Sequence, residues 1–417
     1  MELLLCCARV HLHEKTLERI EVLLQQPIDW ESLIRTALRH EVGPLVYTNV
    51  RRICWKAIPG NSVAELQRNF LANVQNSFFL TAELLKLLTL FETYNISAVP
   101  FKGPLLAASV YGDVSLRQFS DLDILVHKAD TVRAGSLLVS QGYRSGSDYG
   151  DRDNENVAYL GPKFHTFVHA NRRVRVDLQW RVAETYFSFS LDKDSLWERL
   201  ARVSVAGEAV RTFAPMDLLL VLCVHGSKHR WEKLKWICDV AEAVRVYKEE
   251  IDWGKIQQEA YRQGAERMLA LGLFLAHEFL GTALPEEVSK KVLANLGIKS
   301  VAQQVNQRLL AEVNEPPGDV KKVIFYLRTK DRWQDRLQFC FRYLSQYLYA
   351  VVTPTSKERS VLPLPTPFFF LYYFFRPLRL TAKYVRLRVM RLYKRKETEK
   401  RFAAQGNRRN KRCPGNM

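Results

Sequence analysis

Two acidic residues alternate with apolar residues in the segment Asp121-Leu-Asp-Ile-Leu-Val126. Successive side chains of a β-strand point to opposite faces, so Asp121 and Asp123 share one face of a strand here and the apolar residues share the other. Their Cα atoms would lie about 7 Å apart, twice the rise per residue. Two carboxylates at this spacing can bind one divalent cation, but they can equally be exposed on an edge strand or cap the next helix.

A third acidic residue, Asp177, lies in a second predicted strand, Arg173–Trp180, whose apolar and polar residues also alternate. If the two strands are neighbours, its carboxylate joins the first two. Three carboxylates suit Mg²⁺ or Mn²⁺ rather than zinc, because hard cations prefer oxygen ligands. Two such ions support phosphoryl transfer: one lowers the pKa of an attacking hydroxyl and the other neutralises a leaving pyrophosphate. Alternatively, Asp177 is a surface residue paired with Arg173 or Arg175.

The segment Phe101-Lys-Gly103 ends an apolar, strand-forming run and precedes a short predicted helix. Glycine lets a phosphate group approach the backbone, and a helix N-terminus favours anions. Lys102 and Arg117, the latter four residues before Asp121, are cations within reach of the same phosphate. The alternatives are an ordinary turn glycine and ordinary loop cations.

A histidine pair, His225 and His229, has the i, i+4 spacing that places two side chains on one helix face. This spacing is compatible with a metal, but no Cys or acidic residue at suitable spacing completes a zinc site. Two interpretations remain: the pair packs at a corner between helices, or Lys228, His229 and Arg230 contact nucleotide phosphates.

Helical periodicity dominates both ends of the chain's globular region, and strands alternate with helices between them. The pattern predicts an α/β or α+β protein with four regions: a helical region at 1–95, a core at 96–190, a helical domain at 191–350, and an aromatic and basic tail at 351–417. Asp29 is a predicted N-cap and Asn95 a predicted helix stop. The predicted helices include Thr16–Gln26, Trp30–Arg39, Asn73–Thr93, Leu105–Tyr111, Ala129–Gln141, Trp231–Val246, Ile256–Leu280 and Val301–Glu312. The predicted strands are Ile96–Phe101, Asp121–Val126, Val157–Leu160, Phe164–His169 and Arg173–Trp180.

The order of these features resembles the polymerase-β nucleotidyltransferase superfamily, and within it an uncharacterised bacterial nucleotidyltransferase family often associated with polysaccharide or peptide-product gene clusters. The resemblance spans roughly residues 15–280. Its features are an apolar strand, Lys102-Gly103, a short helix ending at Tyr111-Gly112, Arg117, Ser120-Asp121-Leu-Asp-Ile-Leu-Val126, Val176-Asp177-Leu-Gln-Trp180, and two flanking segments, His40–Leu45 and His225–Asp239.

The resemblance implies an α+β fold in which a polymerase-β-like core with a mixed sheet is flanked by helical regions. It implies that Asp121 and Asp123 are the paired metal-binding acids and that Asp177 is the third. It places Gly103 at the superfamily's glycine turn. The residues that we predict to bind the nucleotide are Lys102, Gly103, Arg117, Ser120, Lys228 and His229. Two departures are that Lys102-Gly103-Pro104 replaces Gly-Ser, and that Gln179 stands where family members commonly have His.

The function implied is metal-dependent transfer of a nucleoside monophosphate (NMP) from a nucleoside triphosphate (NTP) to an acceptor, with release of pyrophosphate. The acceptor is unknown: a glycan, a lipid-linked group, a small molecule or a protein, in cell-surface glycan or natural-product biosynthesis. The alternative is a catalytically degenerate, antitoxin-like binding or regulatory module. A template-independent RNA polymerase is disfavoured, because little of the positive charge lies in the globular part of the chain.

The net charge of +18 is concentrated at one end of the chain. Residues 376–417 contain fifteen Lys or Arg and two acidic residues, a net charge of +13, so the first 375 residues carry only +5. This argues against nucleic-acid binding by the globular part. Seven cysteines without a CxxC motif indicate a reducing cytosol. The sequence predicts no signal peptide and no transmembrane helix.

The C-terminal region combines an aromatic block, Val361–Phe375, with the basic run that follows it. Aromatic side chains suit the membrane–water interface, and basic residues attract anionic lipids. Residues 361–412 therefore predict a peripheral anchor at the cytoplasmic face of a membrane. The alternatives are that the aromatic residues cover the helical domain while the tail is solvated, or that the tail binds nucleic acid.

Overall fold

A computed structural model of the protein describes residues 1–145, 164–169, 174–183, 189, 193–310, 319–330, 332–352 and 364–381. The chain forms two compact units, Met1–Cys340 and Phe341–Met417. The predicted strand Val157–Leu160 and the basic residues 382–412 lie outside the described ranges.

Helices make up most of the described chain. They are α1 (Glu2–Cys7), α2 (Glu14–Leu24), α3 (Trp30–Arg39), α4 (Gly43–Ile53), α5 (Gly60–Thr93), α6 (Pro104–Leu106, continuing as a π-helical turn over Ala107–Tyr111), α7 (Thr131–Ser140), α8 (Lys193–Glu198), α9 (Pro215–Lys228), α10 (Leu234–Tyr247), α11 (Trp253–Arg262), α12 (Glu266–Leu280), α13 (Glu286–Ala294), α14 (Leu296–Leu310), α15 (Asp319–Arg328) and α16 (Trp333–Val352).

A mixed five-stranded sheet lies in the middle of the first unit. Its strands are β1 (Ala98–Pro100), β2 (Leu122–Val126), β3 (Tyr143–Ser145), β4 (Phe164–His169) and β5 (Arg175–Gln179). The strand order is β1-β2-β5-β4-β3. The central pair, β2 and β5, is parallel, and every other pair is antiparallel. This confirms the predicted α+β fold with a mixed sheet.

The sheet positions the site because one of its faces is apolar. The alternate residues Leu122, Ile124 and Val126 of β2 are at most 1% exposed and belong to one core cluster with Val176 and Leu178 of β5. Side chains of α5 and α7 complete this cluster. With the apolar residues held in the core, the acidic residues at the intervening positions of both strands must lie on the other face.

Two predicted helix boundaries are confirmed by their capping contacts. Asp29 Oδ1 accepts a hydrogen bond from Ser32 N at 2.9 Å at the start of α3. Asn95 adopts a left-handed conformation (φ 54°) directly after α5, and Ile96 N donates to Phe91 O at 2.8 Å. This is the backbone arrangement that ends many helices.

The prediction that residues 191–350 are helical throughout is wrong at one place. A two-stranded hairpin, β6 (Ala201–Val205) and β7 (Glu208–Thr212), lies in this region. Its two turn residues, Ala206 (φ 51°) and Gly207 (φ 86°), both have positive φ, as a type I′ hairpin turn requires. The predicted helix Ile256–Leu280 is also two helices, α11 and α12.

The second unit contains a 3₁₀ segment, Thr366–Leu371, followed by helical residues 372–381. Within the described ranges of the chain, no helix is both long enough and apolar enough to cross a bilayer.

Candidate functional site

The register of β2 and β5 brings the predicted acidic residues together. Asp123 and Asp177 are directly paired across the two parallel strands. Asp121 precedes β2 by one residue and therefore lies two positions from Asp123, on the same face. The predicted adjacency of the two strands is confirmed. The three carboxylates form what we call the aspartate cluster: Asp121, Asp123 and Asp177.

Asp123 is held by two neighbours. Lys102 Nζ lies 3.3 Å from Asp123 Oδ2, and Gln179 Nε2 donates a hydrogen bond to Asp123 Oδ1. The Asp123 and Lys102 side chains are 14% and 11% exposed. The ammonium group also lies 4.9 Å from the centroid of the Phe101 ring. Lys102 therefore forms a largely buried ion pair inside the predicted metal site.

Asp177 of β5 is contacted by a residue of the neighbouring strand β4 and by a residue of β5 itself. Thr166 Oγ1 of β4 donates to Asp177 Oδ1 at 2.8 Å, and Arg175 Nε lies 3.2 Å from the same oxygen. The predicted ion pair with Arg175 is present, but Asp177 is not a surface residue, since it is only 8% exposed. Thr166 was not expected in the site, because its place depends on the antiparallel register of β4 and β5.

Asp121 differs from the other two carboxylates. Among the residues that the structure describes, it accepts no hydrogen bond and forms no ion pair. Burial raises its pKa, and the neighbouring charges of Asp123 and Asp177 raise it further, against the opposing effect of Lys102 and Arg175. Among the residues that the structure describes, three carboxylates face two cations, so this set of side chains carries negative charge in excess.

Gly103 lies against the aspartate cluster through its backbone. It has φ +56°, and a Cβ atom at this position would lie 3.4 Å from Asp121 O. The turn after β1 therefore favours glycine, and it places Gly103 beside Asp121 and Lys102 beside Asp123. Their contact with a phosphate remains a prediction.

Arg117 lies elsewhere, in a second cluster that we call the buried Asp239 cluster. Arg117 Nε and Nη2 lie 2.7 and 2.9 Å from the two carboxylate oxygens of Asp239, and Tyr111 OH donates to Oδ1 at 2.7 Å. The guanidinium is 5% exposed. Arg117 is therefore paired with Asp239 in this structure, and its predicted contact with a phosphate remains a prediction.

The loop before Asp121 is contacted by a different cation, the largely buried Lys235 of α10. Lys235 Nζ lies 3.3 Å from Gln118 O and, together with Lys233, pairs with Glu41. Burial lowers the pKa of Lys235, and Arg117 lowers it further, whereas Glu41 raises it. Ser120 is exposed on the same loop. Sequence analysis did not single out Lys235, whose position depends on contacts with a loop more than one hundred residues earlier.

Lys228 and His229 lie at the C-terminal end of α9. The His229 ring centroid is 4.5 Å from that of His225 and 4.9 Å from that of Trp236. Lys228 O accepts a hydrogen bond from Tyr326 OH at 2.8 Å. These contacts support the packing interpretation of the histidine pair. The predicted nucleotide contacts of Lys228 and His229 remain predictions.

The donor set of the aspartate cluster suits a hard cation, although its present geometry does not form a cation cage. Within the described residues, no group of three or more His, Cys, Asp or Glu side chains is arranged to hold a metal. The nearby donors are nevertheless all oxygens. They include Gln179 Oε1, which is buried without a hydrogen-bond partner in a side chain that is 4% exposed. Oxygen donors of this kind fit Mg²⁺ or Mn²⁺ chemically.

Comparison with known proteins gives one result for the region that contains this site. Among curated proteins, no match to the chain was found. The model of a family described as "Uncharacterised nucleotidyltransferase" matches residues 26–281, which is more than half of the chain and includes the sheet, the aspartate cluster and the buried Asp239 cluster. The chain therefore belongs to this family of uncharacterised nucleotidyltransferases.

Proposed function

We propose that the protein is a divalent-metal-dependent nucleotidyltransferase that transfers NMP from an NTP to an acceptor and releases pyrophosphate. The observation that carries the proposal is the direct pairing of Asp123 with Asp177 across the parallel strands β2 and β5, with Asp121 beside them. A core sheet that places three acidic side chains on one face concentrates negative charge that a bound cation would neutralise. The family membership supports transferase chemistry at this site.

In this proposal each described residue has a distinct role. Asp121, Asp123 and Asp177 hold Mg²⁺ or Mn²⁺, which supplies Lewis acidity and charge neutralisation. The acceptor oxygen bonds to the α-phosphorus of the NTP, the bond from that phosphorus to the bridging oxygen breaks, and pyrophosphate leaves. Asp177 receives the acceptor proton. Lys102 and the Gly103 turn contact the polyphosphate, with Ser120, Lys228 and His229 as further predicted contacts.

The test is binding of Mg²⁺ and of each NTP by calorimetry, followed by a screen of acceptors for pyrophosphate release. We expect Asp123→Asn to lose both Mg²⁺-dependent NTP binding and transfer. Asp130→Asn is the matched control, because Asp130 forms a surface ion pair with Arg133 outside the cluster. Equal binding by wild type and Asp123→Asn would contradict the proposal.

One observation favours a second candidate function, a nucleotidyltransferase-like binding or regulatory module without catalysis. Asp123 is already paired with Lys102 and Gln179, so the site is neutralised in part without any ion. Incubation with α-labelled NTPs, Mn²⁺ or Mg²⁺ and cell extract separates the two candidates. Label on any sugar, lipid, RNA or protein supports the enzyme, and binding without transfer supports the module.

We further propose that the second unit docks on an anionic membrane surface, which would favour a lipid-linked or glycan acceptor. In the described part of this unit, ten large apolar side chains are at least 37% exposed, and large exposed apolar surfaces often mark protein or membrane interaction sites. The chain from Arg376 onward adds a net charge of +13, which complements anionic lipid. The exposed residues are Phe341, Leu344, Leu348, Phe368, Phe369, Phe370, Leu371, Tyr373, Phe374 and Leu378.

Co-sedimentation with vesicles tests this docking. The full chain is expected to pellet with vesicles that contain phosphatidylglycerol and to remain in solution with pure phosphatidylcholine. Replacing Phe370 and Phe374 by Ser should weaken pelleting about tenfold or more, since each buried aromatic side chain is worth about 1.5–3 kcal/mol. Equally poor pelleting with both vesicles would contradict the proposal. Binding to nucleic acid but not to vesicles would indicate that the basic tail binds nucleic acid instead.

A further inference from the structure

The Lys102–Asp123 ion pair occupies the place in the aspartate cluster where a cation is needed. Lys102 Nζ lies 3.3 Å from Asp123 Oδ2, and both side chains are close to nine-tenths buried. The other oxygen of Asp123 accepts from Gln179. Each oxygen of Asp123 therefore has a protein donor while these contacts last, and a metal ion would have to compete with them.

Lys102 and Arg175, the two described cations at the cluster, differ in how exposed they are to water. Arg175 contacts Asp177 but is 42% exposed, so its charge is screened by water. Lys102 is 11% exposed, and its charge acts through a less polar surrounding. Lysine carries a compact charge on a flexible stem of four carbons, which lets the ammonium group move while its backbone stays in place.

A divalent cation and the Lys102 ammonium cannot both lie against Asp123 Oδ2, because they would repel each other at close range. Lys102 is followed directly by Gly103, whose backbone lies against Asp121. An ammonium group displaced from Asp123 thus stays beside the turn at which the polyphosphate is proposed to bind. Negative phosphate oxygens there offer it a new partner.

We propose that Lys102 is an exchangeable counter-ion: it neutralises Asp123 while the site lacks a divalent cation, and it transfers its charge to the polyphosphate of the nucleotide when the cation takes its place. This inference rests on the proposed function and adds the order of events to it. The exchange keeps Asp123 paired with a positive charge before and after the cation binds, and it makes the polyphosphate site cationic only when the metal site is full.

The first experiment measures the reactivity of Lys102 in the wild-type full chain. An amine-acetylating reagent is applied without Mg²⁺, with Mg²⁺, and with Mg²⁺ plus inorganic tripolyphosphate, and acetylation of the Lys102 peptide is quantified by mass spectrometry. We expect labelling to rise several-fold with Mg²⁺, since the ammonium leaves its ion pair, and to fall again with tripolyphosphate. Lys248 is the internal control, because it is about half exposed and remote in sequence from the cluster.

The second experiment compares Lys102→Met with Arg175→Met by calorimetry. Lys102→Met removes the competing charge, so Mg²⁺ alone should bind about tenfold more tightly than to wild type. The same variant should bind tripolyphosphate with Mg²⁺ about tenfold more weakly. Arg175→Met removes an equal but exposed charge, so both affinities should change about twofold or less.

The outcomes separate this inference from the proposed function. Mg²⁺ binding of equal strength to wild type and Lys102→Met, with unchanged Lys102 labelling, would overturn the exchange and leave the nucleotidyltransferase proposal intact. Absence of Mg²⁺ binding by wild type at millimolar concentration would overturn both. If Lys102→Met is unstable, the labelling experiment on the wild-type chain decides the question alone.

Discussion

The aspartate cluster and the buried Asp239 cluster both combine carboxylates with cationic side chains, but they differ in charge balance. In the buried cluster one carboxylate meets one guanidinium through two hydrogen bonds and one phenol through a third. In the aspartate cluster three carboxylates meet two cations, and Asp121 has no ion-pair partner among the described residues. The first is neutral and closed, whereas the second has charge left over.

The difference in charge balance leads us to expect that the buried Asp239 cluster stabilises the fold and that the aspartate cluster is the site of the proposed function. Arg117 and Asp239 join the loop before β2 to α10 and are 5% and 2% exposed. A buried pair of this kind costs much free energy to break, because the remaining charge stays buried alone. Unbalanced charge at a partly open site costs stability instead, and proteins retain it where function needs it.

The largest expected effect is a loss of transfer activity when a residue of the aspartate cluster is replaced. Asp121→Asn should reduce NMP transfer by about 10³-fold or more, equivalent to at least about 4 kcal/mol in activation free energy. The same change should leave the melting temperature equal or higher. The raised pKa of Asp121 means that its ionised form is less stable in the folded protein than in the unfolded chain, so the neutral amide removes a cost at pH 7.

Two measurements are needed for this variant, pyrophosphate release and thermal unfolding. Loss of both activity and several degrees of melting temperature would show that Asp121 is a structural residue. The comparison between the two clusters would then fail.

The next effect concerns stability alone. Arg117→Met should lower the free energy of unfolding by about 3–5 kcal/mol. The Asp239 carboxylate would stay buried and would lose both hydrogen bonds from Arg117, while it keeps the one from Tyr111. Denaturant titration measures it. The double variant Arg117→Met/Asp239→Leu is the control and should recover much of the loss. A loss below 1 kcal/mol for the single variant would contradict the structural role.

The contrast also shows what the sequence could and could not predict. Alternation in two short segments placed Asp123 and Asp177 on the faces of strands, and apolar positions between them required those faces to point away from the core. Local spacing could not reveal the partner of Arg117, because Asp239 lies 122 residues later in the chain. Arg117 was therefore assigned to a phosphate on proximity to Asp121 alone.

Other differences have equally specific causes. The β6–β7 hairpin was missed although Val203 and Val205 alternate with polar residues before Gly207, because short strands inside a long helical region carry a weak signal. Lys102 was predicted as a phosphate contact, whereas its ion pair with Asp123 was not predicted, because it depends on the antiparallel register of β1 and β2. Side-chain partners follow from register, and register is not visible in composition or spacing.

A smaller expected effect is the pH dependence of stability that comes from His40, a buried residue in contact with α10. His40 is 1% exposed, with Leu234 N donating to its Nδ1 at 3.4 Å and its Nε2 lying 3.1 Å from Leu309 O. Because Nδ1 accepts this hydrogen bond, the contact fits a neutral ring. Burial, with a contribution from Arg39, lowers the pKa of His40 to about 4.

The sign of the resulting pH dependence follows from proton binding. Between about pH 6.5 and pH 4 the unfolded chain binds a proton at His40 that the folded protein excludes, so stability falls with falling pH in this window. We expect a loss of about 2–3 kcal/mol by pH 4, and none from this group above pH 7. Denaturant titrations at several pH values, with His40→Asn as the reference, measure the difference. Parallel profiles for the two proteins would contradict the buried neutral histidine.

The smallest effect completes the comparison, because Arg175–Asp177 and Arg117–Asp239 are the same kind of pair in different surroundings. Arg175 is 42% exposed and lies 3.2 Å from Asp177, whereas Arg117 makes two shorter contacts with Asp239 in the interior. Water already solvates most of the Arg175 charge, and Asp177 keeps the hydrogen bond from Thr166 when the arginine is removed. Arg175→Met should therefore change the free energy of unfolding by less than about 1 kcal/mol, measured in the same titration as Arg117→Met. If the two variants were equally destabilising, exposure would not explain the difference between the clusters, and the aspartate cluster would have to be regarded as a second structural ion-pair network.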